Sequence, residues 1–238
     1  MSDLVFIGDV HLDRDDPVLP PFLAFLDRLG ASCSRIVLMG DLFNLWIGRL
    51  ELEQPHQTAV VERLRALRAR GVVVRYLEGN RDYRIGPCYV GGAVDDATDQ
   101  GIVESCGGRR LVAIHGDMAN AEDRSYRRWH ALSRSLPAWW LFNLVPRGRR
   151  MRIAESLERR LRSSNKEFKQ AFPEATIRRY AASLTSPGDD ALVLGHFHVE
   201  QELAAEDGLR IFVLPCWKER RRHLRVSPEG AIEFVDSE

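Results

Sequence analysis

Five times along this chain an apolar run stops abruptly in a knot of glycine, acidic, amide and histidine residues. Val5–Ile7 gives way to Gly8-Asp9-Val10-His11, Ile36–Met39 to Gly40-Asp41, and Val72–Leu77 to Glu78-Gly79-Asn80-Arg81-Asp82. Leu111–Ile114 runs into His115-Gly116-Asp117, and Leu192–Leu194 into Gly195-His196-Phe197-His198. Short apolar runs rich in Val, Ile and Leu read as buried strands, and the stretches between the first three read as helices. Pro21–Leu29 has helical spacing, and His56–Arg70 carries Val60, Val61, Leu64 and Leu67 on one side. Strands separated by helices imply βαβ units and a largely parallel inner layer, hence an α/β fold. In open α/β sheets, sites form just beyond the carboxyl ends of the strands, which is where all five knots fall. Further strands are expected at Val103–Ser105, Leu209–Leu214 and Ile232–Val235.

With 238 residues, the chain is long enough for one well-buried core. Lys and Arg together number 34, matching 34 Asp and Glu, yet the charges are not evenly spread. From Arg124 to Gln170 there are thirteen Lys or Arg against three Glu, around an aromatic patch at Trp139–Val145. By composition, about Ala119–Gln170 is expected to be a helical insertion, a lid on a single domain that spans residues 1–238. Four scattered cysteines without C-x-x-C spacing, and no secretory leader, point to reduced thiols in a cytosolic compartment. No apolar run approaches the roughly 18 residues of a membrane-spanning helix.

Taken together, the knots offer Asp9, Asp41, Asn80, His11, His115, His196 and His198. Mixed oxygen and nitrogen donors suit Mn²⁺, Fe²⁺ or Zn²⁺ better than Ca²⁺ or Mg²⁺, which prefer oxygen alone. Seven donors are too many for one tetrahedral ion and match two adjacent ions sharing a carboxylate. The D-x-H and H-x-H pairs are expected to put both members on one face of an extended segment. The glycines before Asp41, Asn80 and His196 are expected to permit sharp turns. His56, His130 and His223 belong to no knot and read as ordinary core or surface histidines.

The order D-x-H, G-D, G-N-x-D, H-G-D, G-H-x-H, from Asp9 to His198, resembles the calcineurin-like metallophosphoesterases. That resemblance implies a four-layer α/β/β/α sandwich and two divalent ions, most often Mn²⁺. It also implies that Asp9, His11, Asp41 and His198 hold one ion and Asp41, Asn80, His115 and His196 the other. Asp41 would bridge them, with a metal-bridging water as nucleophile. Asp82 and Asp117 would orient ligands or cap turns. Many members carry a histidine after the asparagine as general acid. Here Arg81 stands in that place, and a guanidinium grips phosphate oxygens but keeps its proton. The leaving group should therefore need little protonation, as a phosphate-linked group would.

Within that superfamily, the chain resembles the UDP-2,3-diacylglucosamine hydrolase family. The resemblance rests on Gly40–Gly48, Gly79–Asp82, His115–Asp117, Asp123 and Tyr126. It implies hydrolysis of a nucleotide-activated glycolipid, in lipid A biosynthesis, to UMP and 2,3-diacylglucosamine 1-phosphate. Substrate contacts would come from Asn80, Arg81, Asp123 and His196, and from lid residues Asn165 and Lys169, one helical turn apart, with Lys166 as a rival. Asp41 and Arg81 would be catalytic. An Arg-rich, Trp-bearing insertion fits an interfacial element, which places the protein peripherally on the inner face of the cytoplasmic membrane. Nucleic acid is the lesser reading of that patch and is not expected as a partner. The oligomeric state is open. Two positions depart from the family: Arg49-Leu50 replaces an acidic pair, and Phe197 and Val199-Glu200 stand where Thr and Arg-Pro are usual. The alternatives are a phosphoesterase acting on a soluble nucleotide or phosphoprotein, and a metal-bound scaffold without catalysis, which the full donor set disfavours.

Overall fold

The structure is a computed structural model that describes residues 2–164, 172–205 and 208–237. Two sheets stack face to face. The first runs β13 (Ile232–Asp236), β12 (Arg222–Val226), β1 (Asp3–Ile7), β2 (Cys33–Leu38), β4 (Val73–Leu77) and β6 (Asp96–Thr98). Its strands from β1 to β6 are parallel, while β12 and β13 form an antiparallel edge. The second runs β10 (Gln201–Ala204), β11 (Arg210–Val213), β9 (Ala191–Leu194), β8 (Arg109–Ile114) and β7 (Ile102–Cys106), parallel at its centre and antiparallel at both edges. A two-stranded ribbon, β3 (Trp46–Ile47) with β5 (Asp82–Tyr83), ties the loop after β2 to the loop after β4.

The layering follows from the period-two alternation of buried strands. Leu4 and Phe6 of β1, with Val37 and Met39, face Leu111, Ala113, Val193 and Phe212 of the second sheet. Val5, Ile7, Ile36 and Leu38 point the other way, onto α1 (Leu19–Ser32) and α2 (Pro55–Ala69). Those helices bury Phe22, Phe25, Leu26 and Leu29, and Val60, Val61, Leu64 and Leu67. Each such side chain contributes roughly 1.5–3 kcal/mol relative to exposure. On the far side, Leu192, Leu194, Ile211 and Val213 pack on Ile177 and Ala181 of α7 (Glu174–Leu184). The result is the α/β/β/α sandwich, with three cores between four layers.

The remaining helices are the short α3 (Gly86–Tyr89) and α8 (Trp217–Arg220), and three that lie in sequence between β8 and α7: α4 (Arg124–Ser133), α5 (Leu136–Leu144) and α6 (Arg147–Ser164). None of α4 or α5 is buried. Among the described residues, no helix is long and apolar enough to cross a membrane.

Strand β12, which pairs with both β1 and β13 in the first sheet, is not among the strands expected from sequence. Its apolar residues are only Leu224 and Val226, both in the inter-sheet core, interrupted by arginines. His223 on the opposite face lies 5.1 Å from the Phe25 ring and is bonded to Ser237 Oγ at 2.9 Å. It is a core histidine. His56 is likewise buried, edge-on to Phe43.

Candidate metal centre

The five knots come together because β1, β2 and β4 are neighbours in one sheet and β8 and β9 are neighbours in the other. Their carboxyl ends share one rim of the sandwich, so the loops that follow them meet across it. The loops are also stitched together. Val10 and His11 donate their N–H groups to Asp41 O at 3.2 and 2.9 Å. His196 N donates to Asp9 Oδ2 at 2.7 Å, and Arg81 N to Asp41 Oδ1 at 2.8 Å.

His11 and His198 present their Nε2 atoms 3.0 Å apart. These lie 4.0 and 3.7 Å from Asp9 Oδ1, and His11 Nε2 is 3.9 Å from Asp41 Oδ2. On the other side of Asp41, His115 Nε2 is 3.8 Å from Oδ1. Asn80 Oδ1 sits between two imidazoles, 3.2 Å from His115 Nε2 and 3.1 Å from His196 Nδ1. Asp9, His11 and His198 form one donor group and Asp9, Asp41 and His115 an overlapping one. Two donors bound to one ion at about 2.1 Å lie roughly 3–3.5 Å apart, close to these separations. Asp9 Oδ1 is buried with no hydrogen-bond donor on it, an arrangement that costs free energy unless a cation takes the oxygen. The residues present fit divalent metal ions.

The backbone shows how the donors are aimed. His11, Asp41, His196 and His198 have φ of 51°, 51°, 67° and 57°. The D-x-H and H-x-H pairs are therefore not two residues on one face of an extended strand. Their histidines occupy left-handed conformations, each costing on the order of 1 kcal/mol or more, of a kind that clusters at functional sites. The glycines also divide by role. Gly40, at φ +89°, provides a left-handed turn. Gly79 has no positive φ. A Cβ there would meet Asp41 Oδ1 at 2.4 Å and the His115 ring at 2.6 Å, so close approach is what demands glycine.

Burial and neighbouring charges shift the ionisation of these groups in opposite directions. Burial pushes Asp41 up to about 6, helped by the charge on Asp9 and opposed by His115. Burial also presses on Asp9, but His198, His115 and His11 outweigh it and hold its carboxyl below the usual range. His115 is driven to about 9 because Asp41, Asp9 and Asp117 overcome its burial. Burial, aided by neighbouring imidazoles, lowers His11 to about 3 and His196 to about 4.

Asp82 and Asp117 lie in neither donor group. Asp82 Oδ2 accepts from Asp41 N and Gly79 N, each at 2.9 Å, and so fixes two donor loops. Asp117 accepts from Tyr126 Oη of α4 and lies 3.8 Å from His130 Nε2. Arg81 is fully buried, its Nε 3.8 Å from Asp41 Oδ2, and it lines a cavity of about 450 Å³. Asp123 lines that cavity and caps α4 by accepting from Tyr126 N at 2.8 Å. Asn165, Lys166 and Lys169 lie outside the described residues. The sequence gives no warning of Trp129, Arg134, Leu161, Phe172 and Glu219, which also line the cavity. They sit in helices or turns with no motif around them. Of the two departures, Arg49 stands 4.9 Å over the Trp139 ring of α5, and Phe197 lines the cavity edge-on to Phe172 at 6.0 Å.

A sandwich of this layering, with carboxylate, carboxamide and imidazole donors on one rim, is a metallophosphoesterase fold with a divalent-metal centre. Among solved structures, an archaeal phosphodiesterase matches with a TM-score of 0.52 at 9% identity, covering 98% of each chain. No family model matches the sequence. Across its whole length the chain is 31% identical to the UDP-2,3-diacylglucosamine hydrolase of Neisseria meningitidis serogroup B, of which it covers 99%. It is 27% identical to the one from Shewanella pealeana, with 98% and 97% covered. The chain belongs to the UDP-2,3-diacylglucosamine hydrolase family, and it is a hydrolase.

Proposed function

We propose that this enzyme hydrolyses the pyrophosphate of UDP-2,3-diacylglucosamine to UMP and 2,3-diacylglucosamine 1-phosphate, in lipid A biosynthesis, with two Mn²⁺ ions. The observation that carries this reading beyond family membership is the cavity. Its lining includes both the donors His11, Asp41, Asn80, His196 and His198 with buried Arg81, and the aromatic and aliphatic side chains of Tyr126, Trp129, Leu161 and Phe172. A charged, phosphate-binding floor with an aromatic and aliphatic wall matches a substrate with both a diphosphate and acyl chains.

Asp9, His11, Asp41 and His198 would hold one ion and Asp41, Asn80, His115 and His196 the second. When bound, the pair activates a water and neutralises phosphoryl oxygens. Arg81 binds the equatorial oxygens and, being a guanidinium, gives no proton to the departing sugar phosphate. That leaving group is stable as an anion and needs none. Asn80, Asp123 and His196, with Asn165 and Lys169, would contact the head group. Leu136, Trp140, Leu141 and Leu144 are exposed on α5 beside the arginines of α6, a pairing that suits an anionic membrane surface. The helices from α4 to α6 then serve as a lid on one catalytic domain, working at the inner face of the cytoplasmic membrane.

The direct test is UMP release from detergent-dispersed UDP-2,3-diacylglucosamine, with Mn²⁺, Mg²⁺ or chelator, beside soluble nucleotide diphosphates. Turnover of the lipid alone, restored best by Mn²⁺, is expected. Turnover of only the soluble compounds would remove the lipid reading.

A further inference from the structure

Arg134 closes α4 where the chain turns towards α5, and it does not point into solvent like its neighbours. Its Nη2 donates to Gly79 O at 2.5 Å and to Asp82 O at 3.0 Å. Its guanidinium carbon lies 5.1 Å over the Tyr83 ring. Gly79 and Asp82 flank Asn80 and Arg81, the residues that reach the second donor group and the cavity floor. The same turn is held from within, since the Asp82 carboxylate accepts from Gly79 N and Asp41 N, and Asp82 N donates to Gly79 O at 3.2 Å.

We infer that Arg134 is a positioning residue for the metal centre, an outer clamp by which the helical insertion fixes the turn that presents Asn80 and Arg81. A guanidinium suits the task because one planar head can serve two carbonyls, and charged donors make hydrogen bonds about twice as strong as neutral ones. Other anchors of the insertion hold different places: Tyr126 Oη donates to Asp117, in the loop after β8. Trp139 lies between Arg49 and Arg84, at 4.9 and 5.5 Å, and Arg150 pairs with Glu51 at 2.7 Å. None of these contacts is with residues 79–82. The insertion is therefore a structural part of the site as well as its cover.

The inference rests on the two-metal reading, and the test separates them. Mn²⁺ would be titrated into the full-length protein, by calorimetry and by electron paramagnetic resonance, for wild type, R134M, R134K and W139A. Two Mn²⁺ about 4 Å apart are spin-coupled and give a spectrum unlike that of isolated ions. Wild type and W139A are expected to bind two coupled ions. R134M keeps the aliphatic stem over Tyr83 but has no donor. It is expected to bind the second ion tenfold or more weaker, with the coupled spectrum giving way to an isolated one, and R134K is expected to recover part of the loss. An R134M protein with wild-type affinity and coupling would overturn the inference, as would equal loss in W139A. If R134M does not fold, R134K alone decides, with affinity two- to tenfold below wild type expected and unchanged affinity overturning it. A wild type that binds one ion would refute the two-metal reading itself, and the clamp would fall with it.

Discussion

Asp9, Asp41 and His115 are all but closed off from solvent, at 0%, 2% and 2% exposure, and backbone hydrogen bonds run between their loops. In the insertion, α5 carries Leu136 and Trp140 at 67% and 62% exposure and has no buried residue at all. Both regions are under strain of a sort. The centre concentrates charge and left-handed backbone inside a packed frame, and it can do so because three cores fix the frame around it. The insertion leaves apolar side chains in water, and Tyr126, Arg134, Trp139 and Arg150 are among the residues that tether it by polar or cation–π contacts. The first region is determined by the chain itself. The second leaves an exposed apolar face of the kind the proposed membrane contact requires.

The comparison breaks most sharply if the donor cluster can be damaged without consequence. Asp41→Ala removes the carboxylate proposed to bridge the two ions. Loss of turnover by on the order of 10³-fold or more is expected, together with reduced metal content measured by elemental analysis. Retained activity would exclude Asp41 as a bridge. Arg81→Ala should cost less, roughly 10²-fold in kcat, because it removes transition-state charge stabilisation of the kind one preorganised donor provides. Both ions should stay bound, since Arg81 is a neighbour of the donors rather than one of them. Metal loss in Arg81→Ala would recast it as a structural residue.

How much of this could be read beforehand differs between the regions for the same physical reason. Strand ends that bear Asp9, Asp41, Asn80, His115 and His196 are legible because the chemistry needs those side chains, and the sheet puts strand ends on one rim. The local geometry was not legible. His11 and His198 look like alternating strand residues, yet their φ values of 51° and 57° show that loop contacts override the pleat. Gly79 reads as a turn glycine, yet it is demanded by the His115 ring and the Asp41 carboxylate, contacts made by residues far away in sequence. Strand β12 was hidden because its neighbours complete its apolar face. In the insertion, composition announced helices and basicity, but nothing distinguished Arg134 from the arginines around it, because its partners are backbone carbonyls, which carry no sequence signal.

A third prediction sharpens the electrostatic side. His115 carries a proton up to about pH 9 in the side-chain cluster, and Asp41 up to about pH 6. Ions require both groups deprotonated, so protons and metal compete. Apparent affinity should therefore rise with pH, by about tenfold per unit for each proton displaced, and should fall more steeply below about pH 6, where Asp41 is also protonated. Calorimetry at pH 7.5 in buffers of different ionisation enthalpy should show protons released as metal binds, from His115 and, where its raised pKa leaves it protonated, His198. Affinity independent of pH between 6 and 9 would exclude His115 as a donor.

The smallest expected change in the folded protein, and the one that tests the insertion directly, is Trp140→Glu. This ring is largely in water, so replacing it should shift unfolding free energy by no more than about 0.5 kcal/mol. Leu64→Ala, on the buried face of α2, should cost about 2–5 kcal/mol by leaving a cavity. Sedimentation with anionic vesicles should reverse the ranking. Trp140→Glu loses a side chain whose partial immersion supplies on the order of 1 kcal/mol, and places a negative charge against the lipid, so binding should fall by about tenfold. Leu64→Ala should bind as wild type does wherever it is folded. If instead Trp140→Glu destabilises the fold as a core residue would and leaves vesicle binding intact, α5 packs inward in solution. The exposed face would then be shielded by this chain's own residues, and the contrast between the two regions would dissolve.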